Sequence, residues 1–226
     1  MYTSLWTAYP LYSDTMNGSK SADWDFNPNP SIGYDYQINV KDKSYKTNYN
    51  NSTYSRGHIV ANADRNNDAT MLTQAYYLTN QTPQIQNGFN GSIWSQLEQN
   101  VRSVASATDT VYVVSGASFN KVGENKTINY LYAADSSIKP AEVPIPNYFW
   151  KVLLKVSRDG GKITGAYAIG IWMAHQSYSN SNWGAYVCTV DDIERYTGFD
   201  FFVNLPDDLE EEAENKSNWN AFSDFN

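Results

Sequence analysis

Two long apolar runs, Tyr148 to Val156 and Ile163 to Trp172, are separated by Arg158-Asp159-Gly160-Gly161. No other feature limits the fold of this chain so strongly. Paired glycines accept the positive backbone angles of a tight turn, so the two runs are expected to close on each other as an antiparallel hairpin. Val111 to Val114, ending at Gly116, reads as a further short buried strand. Tyr34 to Val40 alternates with period two and reads as a strand with one apolar face.

Helical spacing appears between Asn90 and Val104. Ile93, Trp94, Leu97, Val101 and Val104 project onto one stripe, with Asn90 near its middle. Glu98 and Arg102 stand together at the margin, four residues apart. Val190 to Thr197 opens after Thr189 and stops at Gly198, the residue types of a helix cap and a helix end. Asp207 to Glu214 reads as an acidic, solvated helix or tail, and Asp25 to Pro30 as a loop. No repeat and no biased linker divides the 226 residues. The expectation is one α+β domain over residues 1–226 with a mainly antiparallel sheet.

Composition narrows the classes. An apolar content of 41% is enough for a core and excludes disorder over the whole length. No apolar run is long enough to cross a bilayer; the stretch Ala166 to Ala174 is broken by Gly170 and followed by His175. No basic-then-apolar leader opens the chain, so a secretory signal is expected to be absent or already removed. The formal charge of -8 excludes a basic glove over the whole surface, leaving room only for a local basic site. Cys188 is the sole cysteine, which rules out an intrachain disulfide and a cysteine metal cluster; it reads as a small buried hydrophobe.

Histidine is the usual general base near neutral pH, and the chain has two. His175 follows an apolar strand in Ala174-His175-Gln176-Ser177 and reads as a strand-end residue with its hydrogen bonds satisfied. His58 closes Tyr54-Ser55-Arg56-Gly57-His58. There Arg56 can meet an anion, Gly57 permits a turn or a close backbone approach, and His58 can take a proton. On pattern alone this segment is as compatible with a structural role as with a catalytic one.

Downstream, Thr79-Asn80-Gln81-Thr82-Pro83-Gln84 is followed by Asn90, Trp94, Leu97, Glu98 and Arg102. With the Arg-Gly-His, this set resembles the DNA/RNA non-specific endonucleases, the ββα-metal group of the Serratia nuclease and endonuclease G type. The spacing of eight residues from Asn90 to Glu98 agrees with the family. Val111 to Gly116, Val143 to Lys151 and Ile193 to Phe202 also look like family segments, so the resemblance covers most of the chain from about Tyr34 onward.

The resemblance implies a ββα-metal fold, a central mainly antiparallel sheet flanked by helices. His58 would end its strand side and Asn90 open its helix side. It also implies a metal-dependent, sugar-non-specific endonuclease that hydrolyses phosphodiester bonds in DNA and RNA. Asn90 would be the protein ligand of one Mg²⁺, with Mn²⁺ or another divalent ion as alternatives. A hard cation takes oxygen ligands and keeps several waters, which suits a single neutral carbonyl. His58 would be the general base. Arg56 would contact a non-bridging phosphate oxygen or steady the transition state. Asn80 is placed with the catalytic set, holding the site by hydrogen bonds, although an Asn before Thr82-Pro83 also forms turns.

Eight helical residues rise about 12 Å, so Glu98 is expected to act through metal-bound water instead of sharing the ion directly. An ordinary surface pair with Arg102 is the competing reading of Glu98. Arg102 is also placed among the substrate-binding residues, beside Arg56.

Two departures stand out. Ser55 occupies a position where the family usually has Asp, and no arginine precedes Arg56, where family members often carry one. Lys41, Lys43 or Lys46 is expected to take the arginine's place, or the role is absent. Two rival classes remain. A non-catalytic secreted module for glycans or peptides would suit the Tyr-, Trp- and Asn-rich acidic surface. A serine hydrolase built on Ser55 or Ser115 ranks last, because no Gly-x-Ser-x-Gly surrounds either serine. A secreted or periplasmic location follows by analogy only, and sequons such as Asn51-Ser52-Thr53 and Asn125-Lys126-Thr127 are permissive.

Overall fold

A computed structural model of the chain describes residues 4–16, 18–19, 26–33, 36–37, 54–107, 109–132 and 142–226. In chain order the strands are β1 (Trp6–Leu11), β2 (Tyr54–His58), β3 (Gln81–Ile85), β4 (Val111–Ser118), β5 (Tyr130–Tyr132), β6 (Glu142–Pro144), β7 (Tyr148–Asp159), β8 (Lys162–Ala174) and β9 (Val187–Cys188). The helices are α1 (Ala69–Ala75), α2 (Ser95–Ala107), α3 (Val190–Thr197), α4 (Asp207–Glu214) and α5 (Trp219–Asp224).

The glycine pair makes the expected hairpin. Gly160 and Gly161 both hold positive φ, 53° and 87°, and Asp159 pairs with Lys162 across the turn. From this hairpin the main sheet runs in the order β1-β4-β7-β8-β9, each neighbour antiparallel. Alternate residues of β7 face opposite sides. Phe149 and Leu153 join Ile169, Ile171 and Met173 on one face, whereas Trp150 and Val152 join Ala168 and Trp172 on the other. Both faces are therefore apolar and both are covered.

The first face carries α2. Ile93, Trp94, Leu97, Val101 and Val104 are all buried there, as the stripe requires. At roughly 1.5–3 kcal/mol for each large side chain removed from water, that stripe fixes the helix against the sheet. The second face carries α3 and α4 through Val190, Ile193 and Ala213. The Thr189 side chain caps α3 by accepting from the Asp192 backbone N–H at 3.0 Å, and Gly198 ends the helix at φ 74°.

The structure differs from the sequence reading at several points. The helix expected from Asn90 is present but is wound as a wide π-helical turn up to Trp94 and becomes α-helical only at Ser95; the non-helical angles at Asn87 and Gly88 precede it. Helix α4 is not wholly solvated, since Ala213 and Glu214 at its end are buried. Strand β1 is an edge strand in a segment for which no element was expected; Tyr9 and Leu11 turn inward, and Pro10 is tolerated because an edge needs fewer ladder donors. Of Tyr34 to Val40, only Tyr36 and Gln37 are described, and neither stands in a strand. Cys188 is half-buried in β9, with burial pushing its thiol up to about 12.

Candidate active site

Strands β2 and β3 form a separate two-stranded ladder that pairs His58 with Gln81, Arg56 with Pro83 and Ser55 with Gln84. It packs beside the wide turn that leads into α2. Gly57 is where the ladder needs its glycine: a Cβ there would lie 2.2 Å from the Gln84 side chain. The close backbone approach expected at this position is present.

The ladder, the wide turn and the first turn of α2 enclose a cleft of about 440 Å³. Ser55, Arg56, His58, Asn90 and Glu98 all line it, together with Phe26 and Tyr76. The structure thus brings a strand-end imidazole and an amide 32 residues further on (90 − 58) to one concavity.

His58 sits between two rings, Phe26 at 4.8 Å and Tyr76 at 4.9 Å. Its Nε2 is buried and meets no hydrogen-bond partner. Desolvation, helped by the Arg56 charge, lowers its pKa to about 4, so the ring is neutral at pH 7. His175 differs in the decisive respect. Its Nε2 accepts from the Ile85 backbone N–H at 2.8 Å, and its Nδ1 stands 2.8 Å from the Pro146 carbonyl oxygen. Both nitrogens are engaged, which forces the proton onto Nδ1 and leaves no lone pair for a reaction. Burial likewise lowers its pKa to about 4. His175 is a structural residue joining three chain segments.

Asn90 lies in the wide turn ahead of α2. Its Nδ2 donates to Ser55 Oγ at 2.9 Å and to Gln86 Oε1 at 3.3 Å. Both bonds are made by the nitrogen of this cleft-lining side chain, and its described hydrogen bonds do not use Oδ1. Ser55 in turn donates to the Gln84 carbonyl at 3.2 Å. Ser55, where the resemblance implies Asp, therefore orients Asn90, and its described bonds include no histidine. Ser115 is buried and accepts from Lys151 Nζ at 2.9 Å, so the serine hydrolase reading finds no Ser–His pair at either serine.

Glu98 is half-buried at the cleft wall, and desolvation raises its carboxyl pKa to about 7 against the pull of Lys151 and Arg102. Lys151 is only 1% exposed, a buried ammonium over the Trp94 ring at 4.9 Å. Sequence reasoning assigned Lys151 only to a family segment and missed its neighbour Asp64 altogether.

Two expected site residues are placed elsewhere. Arg102 does not line the cleft; its guanidinium is 2.8 Å from Asp64, a buried carboxylate that also accepts from the Tyr9 hydroxyl at 2.7 Å. Desolvated Asp64 needs a cation, and Arg102 supplies it. Asn80 lies behind the site. Its Oδ1 accepts from Val60 N–H at 2.9 Å, and its Nδ2 donates to the Val60 and Ala75 carbonyls at 2.9 and 2.7 Å. It braces the chain just past His58 and presents nothing to the cleft. Lys41, Lys43 and Lys46 lie outside the described residues. Among the described residues, Arg56 is the permanent cation of the cleft wall, its guanidinium 5.3 Å from the centre of the Phe26 ring. Phe26, Tyr76 and Gln86 carried no chemical motif; only the four-residue spacing of Gln86 from Asn90 pointed to a contact.

The family model of the DNA/RNA non-specific endonucleases matches residues 2–208. The chain belongs to that family. It is 26% identical over 220 residues to a nuclease of Nostoc, covering 95% of this chain and 72% of that one. Identity to the Serratia marcescens nuclease is 26% over 228 residues, covering 93% and 73%. Mitochondrial endonuclease G of Caenorhabditis elegans is 27% identical over 165 residues, covering 72% of this chain and 51% of the relative. Among solved structures, the EndoG/EndoGI complex matches with a TM-score of 0.67 at 22% identity, over 92% of this chain and 82% of that one. That likeness carries the fold: an α+β, ββα-metal nuclease architecture with a mainly antiparallel sheet. Membership makes the chain an enzyme of the phosphodiester-hydrolysing nuclease class.

Proposed function

We propose that residues 1–226 act as one sugar-non-specific endonuclease domain cleaving DNA and RNA. The observation that carries this reading is the shared cleft, lined by His58, whose buried Nε2 has no hydrogen-bond partner, by Asn90, whose amide Ser55 orients, and by Arg56.

His58 takes a proton from a cleft water as that water attacks phosphorus. The bond between phosphorus and the leaving 3′-oxygen breaks, that oxygen takes a proton from solvent water, and His58 returns its proton to solvent. A base with pKa about 4 is weak in the empty cleft. A phosphate drawn in beside it adds negative charge, which raises the affinity of the imidazole for a proton when it is needed. Arg56 binds a non-bridging phosphate oxygen and offsets charge that grows in the transition state. Glu98 accepts hydrogen bonds from cleft water. Phe26 and Tyr76 keep the imidazole plane in place.

The family's nucleases depend on a divalent metal, and the residues here fit one. Asn90 would hold it through Oδ1, because its nitrogen is already committed to Ser55 and Gln86. One neutral oxygen matches a hard ion that keeps most of its waters, Mg²⁺ first and Mn²⁺ as the alternative. When bound, the ion supplies charge neutralisation at the phosphate and the leaving oxygen.

Contacts to phosphate and sugar, in place of base edges, account for a lack of sequence preference. With a net charge of -8, long-range attraction to DNA is expected to be weak or repulsive, and association is expected to depend on salt through the local cations of the cleft. We extend the reading to an exported enzyme by analogy with indiscriminate nucleases. No helix among the described residues is long and apolar enough to cross a membrane. The test is incubation with supercoiled plasmid and with RNA, with and without chelator. Cleavage of both that stops in chelator is expected. Cleavage that persists in chelator overturns the metal, and a parent protein that cuts neither favours the non-catalytic binding module.

A further inference from the structure

The second face of the sheet holds a group of carboxylates unconnected with the cleft. Asp191 and Glu194 project from α3, and Glu214 is the last residue of α4. One oxygen from each can be chosen so that all three lie within 4.8 Å of one another. Two oxygens bound to one Ca²⁺ at roughly 2.4 Å are at most about 4.8 Å apart, so no pair among the three is too widely spaced to share an ion.

Proximity alone describes many acidic surfaces. What separates this cluster is Glu214. It is 7% exposed, and its Oε1 is buried with no hydrogen-bond partner. A buried carboxylate oxygen without a partner costs free energy unless something positive meets it. The described ion pairs do not supply it: Arg195 serves Asp192, Lys216 serves Glu212, and none involves Asp191, Glu194 or Glu214. The charges that act most on Glu214 are all negative, from Glu194, Glu210, Asp191 and Asp200. Glu194 gives one oxygen to the Phe201 N–H at 2.6 Å and keeps the other. Asp191 is exposed and provides an entry.

The geometry points to a second, structural cation site in which Asp191, Glu194 and Glu214 bind a hard divalent cation of the Ca²⁺ class and tie α3 to α4. Several carboxylates in an irregular arrangement suit Ca²⁺ better than Mg²⁺, which demands octahedral geometry and sheds water reluctantly. Without the ion, burial and the surrounding carboxylates hold the Glu214 pKa at about 8, so a proton occupies the cluster and the cation must displace it. This site is independent of the nuclease cleft, being on the opposite face of the sheet.

The test is thermal unfolding at pH 8 in Ca²⁺ and in EDTA. The proteins are the full chain, its Asn90→Ala variant, which removes the cleft ligand, and the Glu214→Gln and Asp191→Asn variants. With Ca²⁺ at roughly a hundred times its dissociation constant, Tm is expected to rise by about 5 °C or more in the parent and in Asn90→Ala. The rise should be lost in Glu214→Gln and Asp191→Asn. Asp191 is exposed, so its variant carries the test should Glu214→Gln fail to fold. A parent without a Ca²⁺ response shows a cluster that holds only a proton, and overturns the site. A response that survives in the folded carboxylate variants, or disappears in Asn90→Ala, overturns it as well.

Discussion

Ser55 Oγ accepts a hydrogen bond from Asn90 Nδ2 at 2.9 Å, joining strand β2 to the turn before α2 across 35 residues. The contact orients the amide without bringing a charge to position 55. Residues that orient a metal ligand commonly tune affinity by about 10–100-fold. Ser55→Ala is therefore expected to raise the Mg²⁺ concentration for half-maximal plasmid cleavage by roughly that factor, with the maximal rate largely recovered in excess Mg²⁺. An unchanged Mg²⁺ dependence would remove Ser55 from this role.

His58 and His175 are predicted to separate cleanly. A positioned general base contributes roughly 10²–10⁴ in rate, so His58→Ala should lose cleavage by about that amount while its circular dichroism spectrum stays unchanged. Digestion at the parent rate would exclude His58 as the base.

His175 is expected to govern stability, with a definite pH dependence. The unfolded ring has a pKa of about 6.5, and burial lowers the folded value to about 4. The stability it provides is thus complete above the unfolded value and is lost as pH falls from there toward the folded one. Urea unfolding of the parent and of His175→Ala should show a gap of about 2–4 kcal/mol at pH 7.5. At pH 5 the gap should be narrower by up to about 2 kcal/mol, at about 1.4 kcal/mol per pH unit below the unfolded value. A gap that is constant or that widens in acid contradicts the bonding of both ring nitrogens.

Asn80 makes three side-chain hydrogen bonds in a buried position. Asn80→Ala strands the Val60 N–H and two carbonyls, at a cost of about 3 kcal/mol. Tm should fall by roughly 6–12 °C, while activity measured well below that temperature falls far less than in His58→Ala. A variant with normal Tm and no activity would return Asn80 to the chemistry.

Arg102→Ala tests a different displacement. Removing the cation leaves Asp64 buried and charged, at a cost of about 3–5 kcal/mol. The expected readout is a lower Tm with little change in KM for DNA once the protein is folded. A raised KM with unaltered stability would restore the substrate contact read from sequence.

Elements that depend on neighbours in the chain were legible without coordinates. The Gly160-Gly161 turn, the stripe of α2 and the Thr189 cap and Gly198 end of α3 each rest on residue types within a few positions of one another. So did the motif order from Arg56 to Glu98, which named the family. Where each polar group finds its partner was decided only by the tertiary structure. Arg102 turns to Asp64, 38 residues away, and His175 to Ile85, 90 residues away. Asn80 closes on Val60 instead of facing the cleft. Backbone periodicity records which face of an element is apolar. A buried polar atom must find whichever complementary atom packing brings within about 3 Å, and that depends on how distant segments meet.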